Sequence, residues 1–353
     1  MLSKCEFLPA FPTTPSRTPS SAQTVSPTPS VTATPSITMS PPPAWKYVTV
    51  PRSWASIASS SDGNRLVAVE GWGYASFGAG GGQIYTSSNS GAVWIPRDSI
   101  RKWTAVASST NGSKLVAAAQ NGYVYTSSDF GTTWVPRESI RLWTSVASSS
   151  DGSRLVASVQ DGYVYTSSDF GATWIARDSI RKWAALASSS NGSNLVASIL
   201  INSTAISLLT SSNFGVTWNA ALAIDGGSSF YRAPVFSSAD GSLIALLAVD
   251  YLATSGLIYI SSNKGSSWQL VPPPSSYLWI GLNFLSNGTL VACASCTSCT
   301  GYGSQLFSSS AGAPFLPRSP LLPEINVNSA AIATSLNGSF FAVAFLDGGL
   351  YSW

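Results

Sequence analysis

"WTSVASSSDGSRLVASVQDGYVYTSSDFGATW", Trp143 to Trp174, is the stretch that decides the fold. It parses into four short apolar runs separated by turns. "WTSVASS" comes first, and Asp151-Gly152 turns the chain into "RLVASVQ". Asp161-Gly162 turns it again into "YVYTSS", and "DFG" leads into "ATWIA". Asp-Gly and Asn-Gly between apolar runs favour tight hairpins, because Gly accepts a positive φ. No segment carries a helical period. The pattern predicts a four-stranded antiparallel unit. The neighbouring unit is almost identical, since "GYVYTSSDFGTTW" at Gly122–Trp134 returns as "GYVYTSSDFGATW" at Gly162–Trp174.

The glycine of the first turn recurs as Gly63, Gly112, Gly152, Gly192, Gly241, Gly288 and Gly338. The glycine of the last turn recurs as Gly91, Gly131, Gly171, Gly215, Gly265 and Gly312, so the final unit, ending in "GGLYSW", lacks a fourth strand. "WKYVTVPRSW" at Trp45–Trp54 aligns with "WIPRDSIRKW" at Trp94–Trp103 and supplies one. These spacings predict an all-β, seven-bladed β-propeller of four-stranded antiparallel blades, its ring closed by an N-terminal strand that completes the last blade. The alternative is six blades with a packed extension.

The region before the repeats differs in kind. Residues 1–43 contain "TTPSRTPSSAQTVSPTPSVTATPSITMSPPP", in which proline opposes helix and central strand and Ser/Thr buries little. The expectation is a disordered leader, followed by a propeller over 44–353. Only 9% of the 353 residues are charged, and the formal charge is +3. So weak a bias argues against nucleic acid as a partner. No run of about 18 apolar residues occurs, which argues against membrane insertion. Histidine is absent, which removes the commonest metal ligand and the usual general base. No cofactor or metal is expected, and the expected state is a monomer. The Ser/Thr/Pro leader and the sequons at Asn111, Asn191, Asn202, Asn287 and Asn337 favour a secretory or extracellular setting, although "MLSKCEFLPAFPTTP" makes a poor signal peptide.

The last turn of each unit reads Ser-x-Asp/Asn-x-Gly-x-x-Trp. Its copies place Asn89, Gly91 and Trp94; Asp129, Gly131 and Trp134; Asp169, Gly171 and Trp174; Asn213, Gly215 and Trp218; and Asn263, Gly265 and Trp268. A decayed copy, "SSSAGAPF", puts Ser310 at the acidic position. This octapeptide, called the box turn below, resembles the Asp-box of the BNR/Asp-box propellers. The preceding "W-x-x-V-A-S-S-x-D-G-x-x-L-V-A" is similar to the photosystem II assembly and stability factor family, and the whole resembles the propeller of sortilin-like receptors. The resemblance implies a propeller whose box turns lie opposite the ligand face. The chemistry of the position agrees with a shape-giving role. Asp and Asn both accept a backbone N–H and fix a turn, whereas a catalytic carboxylate does not tolerate Asn.

Length variation concentrates between the second and third strands, at Gly71–Gln83, Leu200–Ser207, Asp250–Gly256 and Cys293–Ser304. Such loops are where a rigid scaffold carries binding surface. Trp72, Tyr74 and Phe77 in the first insertion are candidate binding residues. Arg97, Arg137 and Arg177 recur at matched positions in the links between units, as candidates for an anionic peptide. Asp98, Glu138 and Asp178 stand beside them, so ion pairs tying neighbouring blades are the competing reading. Cys293, Cys296 and Cys299 are spaced C-x-x-C-x-x-C, without a fourth zinc ligand.

Catalysis is the weaker hypothesis. Glu6, Glu70, Glu138 and Glu324 are the only glutamates, and none stands with a tyrosine as a sialidase nucleophile would. Other glycosidases need two placed carboxylates, for which Asp250 and Asp347 are the candidates. The expectation is a non-catalytic binding or scaffold propeller that recognises a protein or peptide through the face opposite the box turns. The alternative is a carbohydrate-binding or sialidase-related, glycoside hydrolase-like propeller, with a glycan as partner.

Overall fold

The structure is a computed structural model that describes residues 46–71, 81–225, 230–250, 256–271, 277–296, 304–309, 315–318, 330–345 and 348–352. The described strands form an all-β ring. Trp54–Ser59, Leu66–Glu70, Ile84–Ser87 and Ile95–Pro96 make one antiparallel sheet. Trp183–Ser188, Leu195–Leu200, Ala205–Ser211 and Asn219–Asp225 make another. In a third, Phe230–Arg232 and Val235–Ser237 both pair with Ile244–Asp250, followed by Gly256–Ser261 and Gln269–Val271. Tyr277–Phe284, Leu290–Cys296, Ser304–Ser309 and Leu316–Pro317 form a fourth.

The expectation of seven separate four-stranded blades is corrected here. The described strands form six blades, because two sequence units share one six-stranded sheet from Trp103–Ser108 to Ile175–Arg181. The cause is a single strand, Val135–Ser148, that runs 14 residues without a break. Its first half is the outer strand of one unit and its second half the inner strand of the next. Arg141 and Leu142 stay in register with Gly122 and Gln120, which carries the pairing through the link. In the equivalent links the strand breaks at Ser53, Lys102 and Lys182.

The remaining sheet joins the two ends of the propeller. Lys46–Arg52 pairs antiparallel with Gly348–Ser352, beside Phe341–Phe345 and Ala330–Thr334. That pairing covers a backbone edge which would otherwise stand open.

Second strands read as continuous apolar runs because both of their faces are covered by neighbouring sheets. Leu155–Val159 is buried at every position. Between the Trp54–Ser59 sheet and the six-stranded sheet, Val67, Val69 and Ile84 pack on Trp103, Val106, Leu115 and Tyr125. The inner strands of the first four units begin at a tryptophan, and Trp103, Trp143, Trp183 and, in Tyr277–Phe284, Trp279 are fully buried. Burying one indole of roughly 200 Å² contributes about 5 kcal/mol before entropy is counted. Trp103 and Trp143 each meet a tyrosine edge-on, Tyr125 and Tyr165, with ring centres 5.3 Å apart. Outer strands are exposed and carry Pro96 and Pro136, as suits an edge.

First-turn glycines are required twice over. Gly152 has φ +71°, and a Cβ there would lie 2.8 Å from Lys114 Cβ of the preceding unit. This close approach permits a chain of backbone hydrogen bonds from unit to unit. The amides of Ser61, Thr110, Ser150 and Ser190 donate to the carbonyls of Thr110, Ser150, Ser190 and Ala239. The Ser286 amide donates to Leu336, and the Leu336 amide to Ser61, across the closure.

Candidate functional site

Box turns and first turns lie on one face. In the first unit the Ser90 amide donates to the Asn64 carbonyl at 2.9 Å. In the next, the Phe130 amide donates to Ser113 at 3.1 Å. Within the box turn, Asp129 Oδ1 accepts from Ser127 Oγ at 2.8 Å and from the Thr133 amide at 2.9 Å. Asn89 Oδ1 accepts the equivalent pair from Ser87 Oγ and Val93 N, at 2.9 and 2.8 Å. Asn213 and Asn263 do the same with Thr217 N and Ser267 N. The position therefore needs an oxygen acceptor, not a charge. Where it is Asp169, the hydroxyl and amide of Thr173 and the hydroxyl of Ser167 hold the carboxyl pKa down to about 2. Trp134 and Trp174 donate their indole N–H to the carbonyls of Gly131 and Gly171, which fixes the rings against their own turns.

The opposite face carries the second turns and the links. A cavity of about 500 Å³ opens there, lined by Ser56, Thr104, Thr144, Ser145, Gln160, Asp161, Lys182 and Pro234, among others. It shares Ser56, Ser145 and Pro234 with a second cavity of about 380 Å³ that runs between the inner strands. The hydroxyls at its wall are committed to neighbouring units. Thr104 Oγ1 donates to the Trp143 carbonyl at 3.2 Å, and Thr144 Oγ1 to the Trp183 carbonyl at 3.3 Å. Ser145 Oγ accepts from the Leu186 amide at 3.1 Å. The exposed groups at the mouth are Gln160, Asp161 and Lys182. Among the described lining residues there is thus one carboxylate and one ammonium.

The three link arginines lie in, or for Arg97 just after, outer strands rather than at this cavity. Arg97, Arg137 and Arg177 donate Nε to Thr86, Thr126 and Thr166 of the adjacent strand, at 2.7, 2.9 and 3.0 Å. Among the described residues none of the three carries an ion pair. The acids close instead on the second arginine of the same link: Arg101 on Asp98, Arg141 on Glu138 and Arg181 on Asp178, at 3.3, 3.2 and 2.8 Å. These pairs sit in a bulge. Arg177 and Arg181 oppose Val164 and Gly162, so the link carries extra residues, and Asp178 adopts φ 55°. The bulge pushes Ile100, Ile140 and Ile180 outward, each more than 60% exposed. The second arginine also lies over a tyrosine, Arg101 at 4.4 Å from the Tyr125 ring centre and Arg141 at 4.8 Å from Tyr165. Sequence reading missed Gln160, Asp161 and Lys182. The sequence offers Asp161 only as turn chemistry, beside Gly162.

Several sequence expectations fall elsewhere. Trp72, Tyr74, Phe77, Asp347 and Cys299 lie outside the described residues, as do the side chains of Asp250 and Cys296. Cys293 is fully buried, and desolvation pushes its thiol pKa up.

No protein-family model matches the chain, and no curated protein matches it. Solved structures do. YCF48 bound to D1 peptide is similar over 88% of this chain and 96% of its own, with TM-score 0.59 and 15% identity. YCF48 from Cyanidioschyzon merolae covers 88% and 98%, with TM-score 0.61 and 16% identity. The GH74 xyloglucanase from Xanthomonas campestris covers 88% of this chain but only 53% of its own, with TM-score 0.62 and 14% identity. The chain thus resembles propellers of both kinds, one solved with a bound peptide and one a glycoside hydrolase. At these identities the likeness is one of fold.

Proposed function

We propose that the chain is a non-catalytic propeller that binds an extended peptide segment of a protein partner on the face opposite the box turns. The observation that carries this reading is the mouth cavity of about 500 Å³, whose described charged groups are Asp161 and Lys182. One carboxylate beside one ammonium can hold both signs of a peptide's polar groups. Glycosidic cleavage calls for two carboxylates flanking the scissile bond. The box-turn residues Asn89, Asp129, Asp169, Asn213 and Asn263, with their glycines and tryptophans, are assigned to structure. Arg97, Arg137 and Arg177, each without an ion pair among the described residues, are assigned to an outer arc that takes acidic side chains of the same partner. Trp72, Tyr74 and Phe77 are assigned to the rim of that face. YCF48 in complex with a D1 peptide supports a peptide as the ligand class.

The test is a peptide array probed with the full chain, followed by calorimetry on the retained peptides. Asp161→Asn with Lys182→Ala is expected to weaken capture by tenfold or more, roughly the loss of one charge-assisted hydrogen bond. Trp72→Ala with Tyr74→Ala is expected to weaken it independently. Unchanged affinity in the first pair sinks the site. Release of reducing sugar from xyloglucan by the wild-type chain sinks the non-catalytic assignment.

A further inference from the structure

One contact recurs on the box-turn face at three consecutive junctions and is absent from the next. Arg65 lies over the Phe130 ring at 3.5 Å, Lys114 over Phe170 at 5.4 Å and Arg154 over Phe214 at 5.2 Å, each a cation of one unit on the box-turn aromatic of the next. The threonine beneath each of these contacts receives the link arginine described above. At the next junction the cation is replaced by Asn194, the aromatic by Lys264 and the arginine by Ala221. Thr210 matches Thr166 but has no arginine on its hydroxyl. Its methyl and the Ala221 Cβ crowd the next turn, 3.1 and 3.2 Å from where a Cβ on Gly265 would stand.

A cavity of about 190 Å³ occupies this junction, lined by Asn194, Thr210, Ser212, Asn219 and Lys264, among others. Two of the three changed residues, Asn194 and Lys264, line it. Among the described residues, the side chains of Thr210, Ser212, Asn219 and Lys264 make no hydrogen bond or ion pair. Asn194 Nδ2 makes only a long bond to the Asp240 carbonyl, at 3.3 Å. The carboxylate of Asp240 is taken up by its own turn, accepting from Ser238 Oγ at 2.6 Å and the Ser242 amide at 3.0 Å. Among the described residues the cavity therefore offers one uncompensated ammonium, amides and two hydroxyls in a space of a few water volumes.

We propose that this junction is a second binding site, separate from the central cavity, for a compact carboxylate carrying a single negative charge. One ammonium balances one charge, whereas a phosphate dianion calls for a cluster of cations. The carboxylate takes its ion pair from Lys264 and hydrogen bonds from Thr210, Ser212 and the amide groups. Asn194 and Lys264 stand where the earlier junctions carry a cation and a ring, so the site replaces a structural contact.

The test is acetate titrated into the full chain, read from the ¹⁵N-indole resonance of Trp268, whose Nε1 donates to the Ala221 and Gly265 carbonyls at 3.0 and 3.1 Å. A saturable shift in the millimolar range is expected, with inorganic phosphate binding more weakly. Lys264→Gln is expected to weaken acetate roughly tenfold. Asn194→Arg with Lys264→Phe rebuilds the cation–aromatic pair in a turn that already accepts Phe at 214, and is expected to abolish binding while raising Tm. A linear, non-saturating response overturns the proposal. Equal affinity in Lys264→Gln, or tighter binding of phosphate, overturns it as well.

Discussion

Replacing Gly152 with Ala tests the close approach of neighbouring units most directly. The residue sits at φ +71°, where an L side chain costs about 1 kcal/mol over Gly. The new methyl also meets Cβ and Cδ of Lys114, each at 2.8 Å, and Ser109 Cβ at 3.3 Å. Cβ cannot swing aside as a side-chain tip can, so the unit boundary must open by some tenths of an ångström. Overpacking of that kind costs about 1–3 kcal/mol. The expected total is about 2–4 kcal/mol, or a fall in Tm of roughly 3–6 °C for a domain of this size. Equilibrium guanidinium unfolding followed by tryptophan fluorescence measures it. A cycle with Lys114→Gly separates the two parts, because that change removes the opposing Cβ and leaves the backbone strain. The coupling between the two substitutions is expected at about 1–3 kcal/mol. An equal cost of Gly152→Ala in both backgrounds would falsify the inter-unit contact, and a total under about 1 kcal/mol would remove the strain as well.

Other outcomes follow from particular groups. Asp151, Asp169 and Asp240 have carboxyl pKa values near 2 against an ordinary 3.8, mainly from hydrogen bonds of Ser149, Thr173 and Ser238. Their stabilising contribution is complete above pH 3.8 and is lost as pH falls through about 2. Asp169→Asn is expected to change stability at neutral pH by under about 1 kcal/mol and to flatten the Tm–pH curve over that acid range; an unchanged slope counts against it. Cys293, wholly buried, is expected to resist iodoacetamide in the native chain and to react after unfolding, as peptide mapping reads; rapid native alkylation contradicts the packing. Deleting Lys46–Val50 bares the edge of Gly348–Ser352 and is expected to lower Tm and cause concentration-dependent association in sedimentation, and an unaltered monomer with an unaltered Tm opposes the closure.

Much of the fold was legible because the turns are written in residue types with narrow conformational meaning. Asp-Gly and Asn-Gly pairs marked the hairpins, and the first-turn glycines all take φ near +70° where that was expected. The number of blades was not legible. Whether Leu142 stays paired with Gln120 is a matter of register, and Lys102 and Lys182 occupy the matched position with the strand broken. The link charges were visible but their partners were not. Arginine and acid at neighbouring positions read as a bridge between blades, whereas a backbone bulge with Asp178 at φ 55° folds the acid onto Arg181 of its own link. The cavity at Asn194 and Lys264 could have been noticed from the repeat alone, by asking where aligned units break their pattern together. The mouth residues Gln160, Asp161 and Lys182 gave no such signal, because Asp161 is also ordinary turn chemistry.

The chain of amide-to-carbonyl bonds from Ser61 through Thr110, Ser150 and Ser190 to Ala239 bears on how such a protein can evolve. Its donors and acceptors belong to the backbone, so side chains at those positions drift freely. A unit duplicated in frame brings its own donor and its own acceptor, and is accepted by neighbours that never met it before. The near-identity of the copies ending at Trp134 and Trp174 fits a ring that grows by copying its own text. Later divergence, as at Asn194 and Lys264, then writes individual functions into single seams without disturbing the hoop that holds the others.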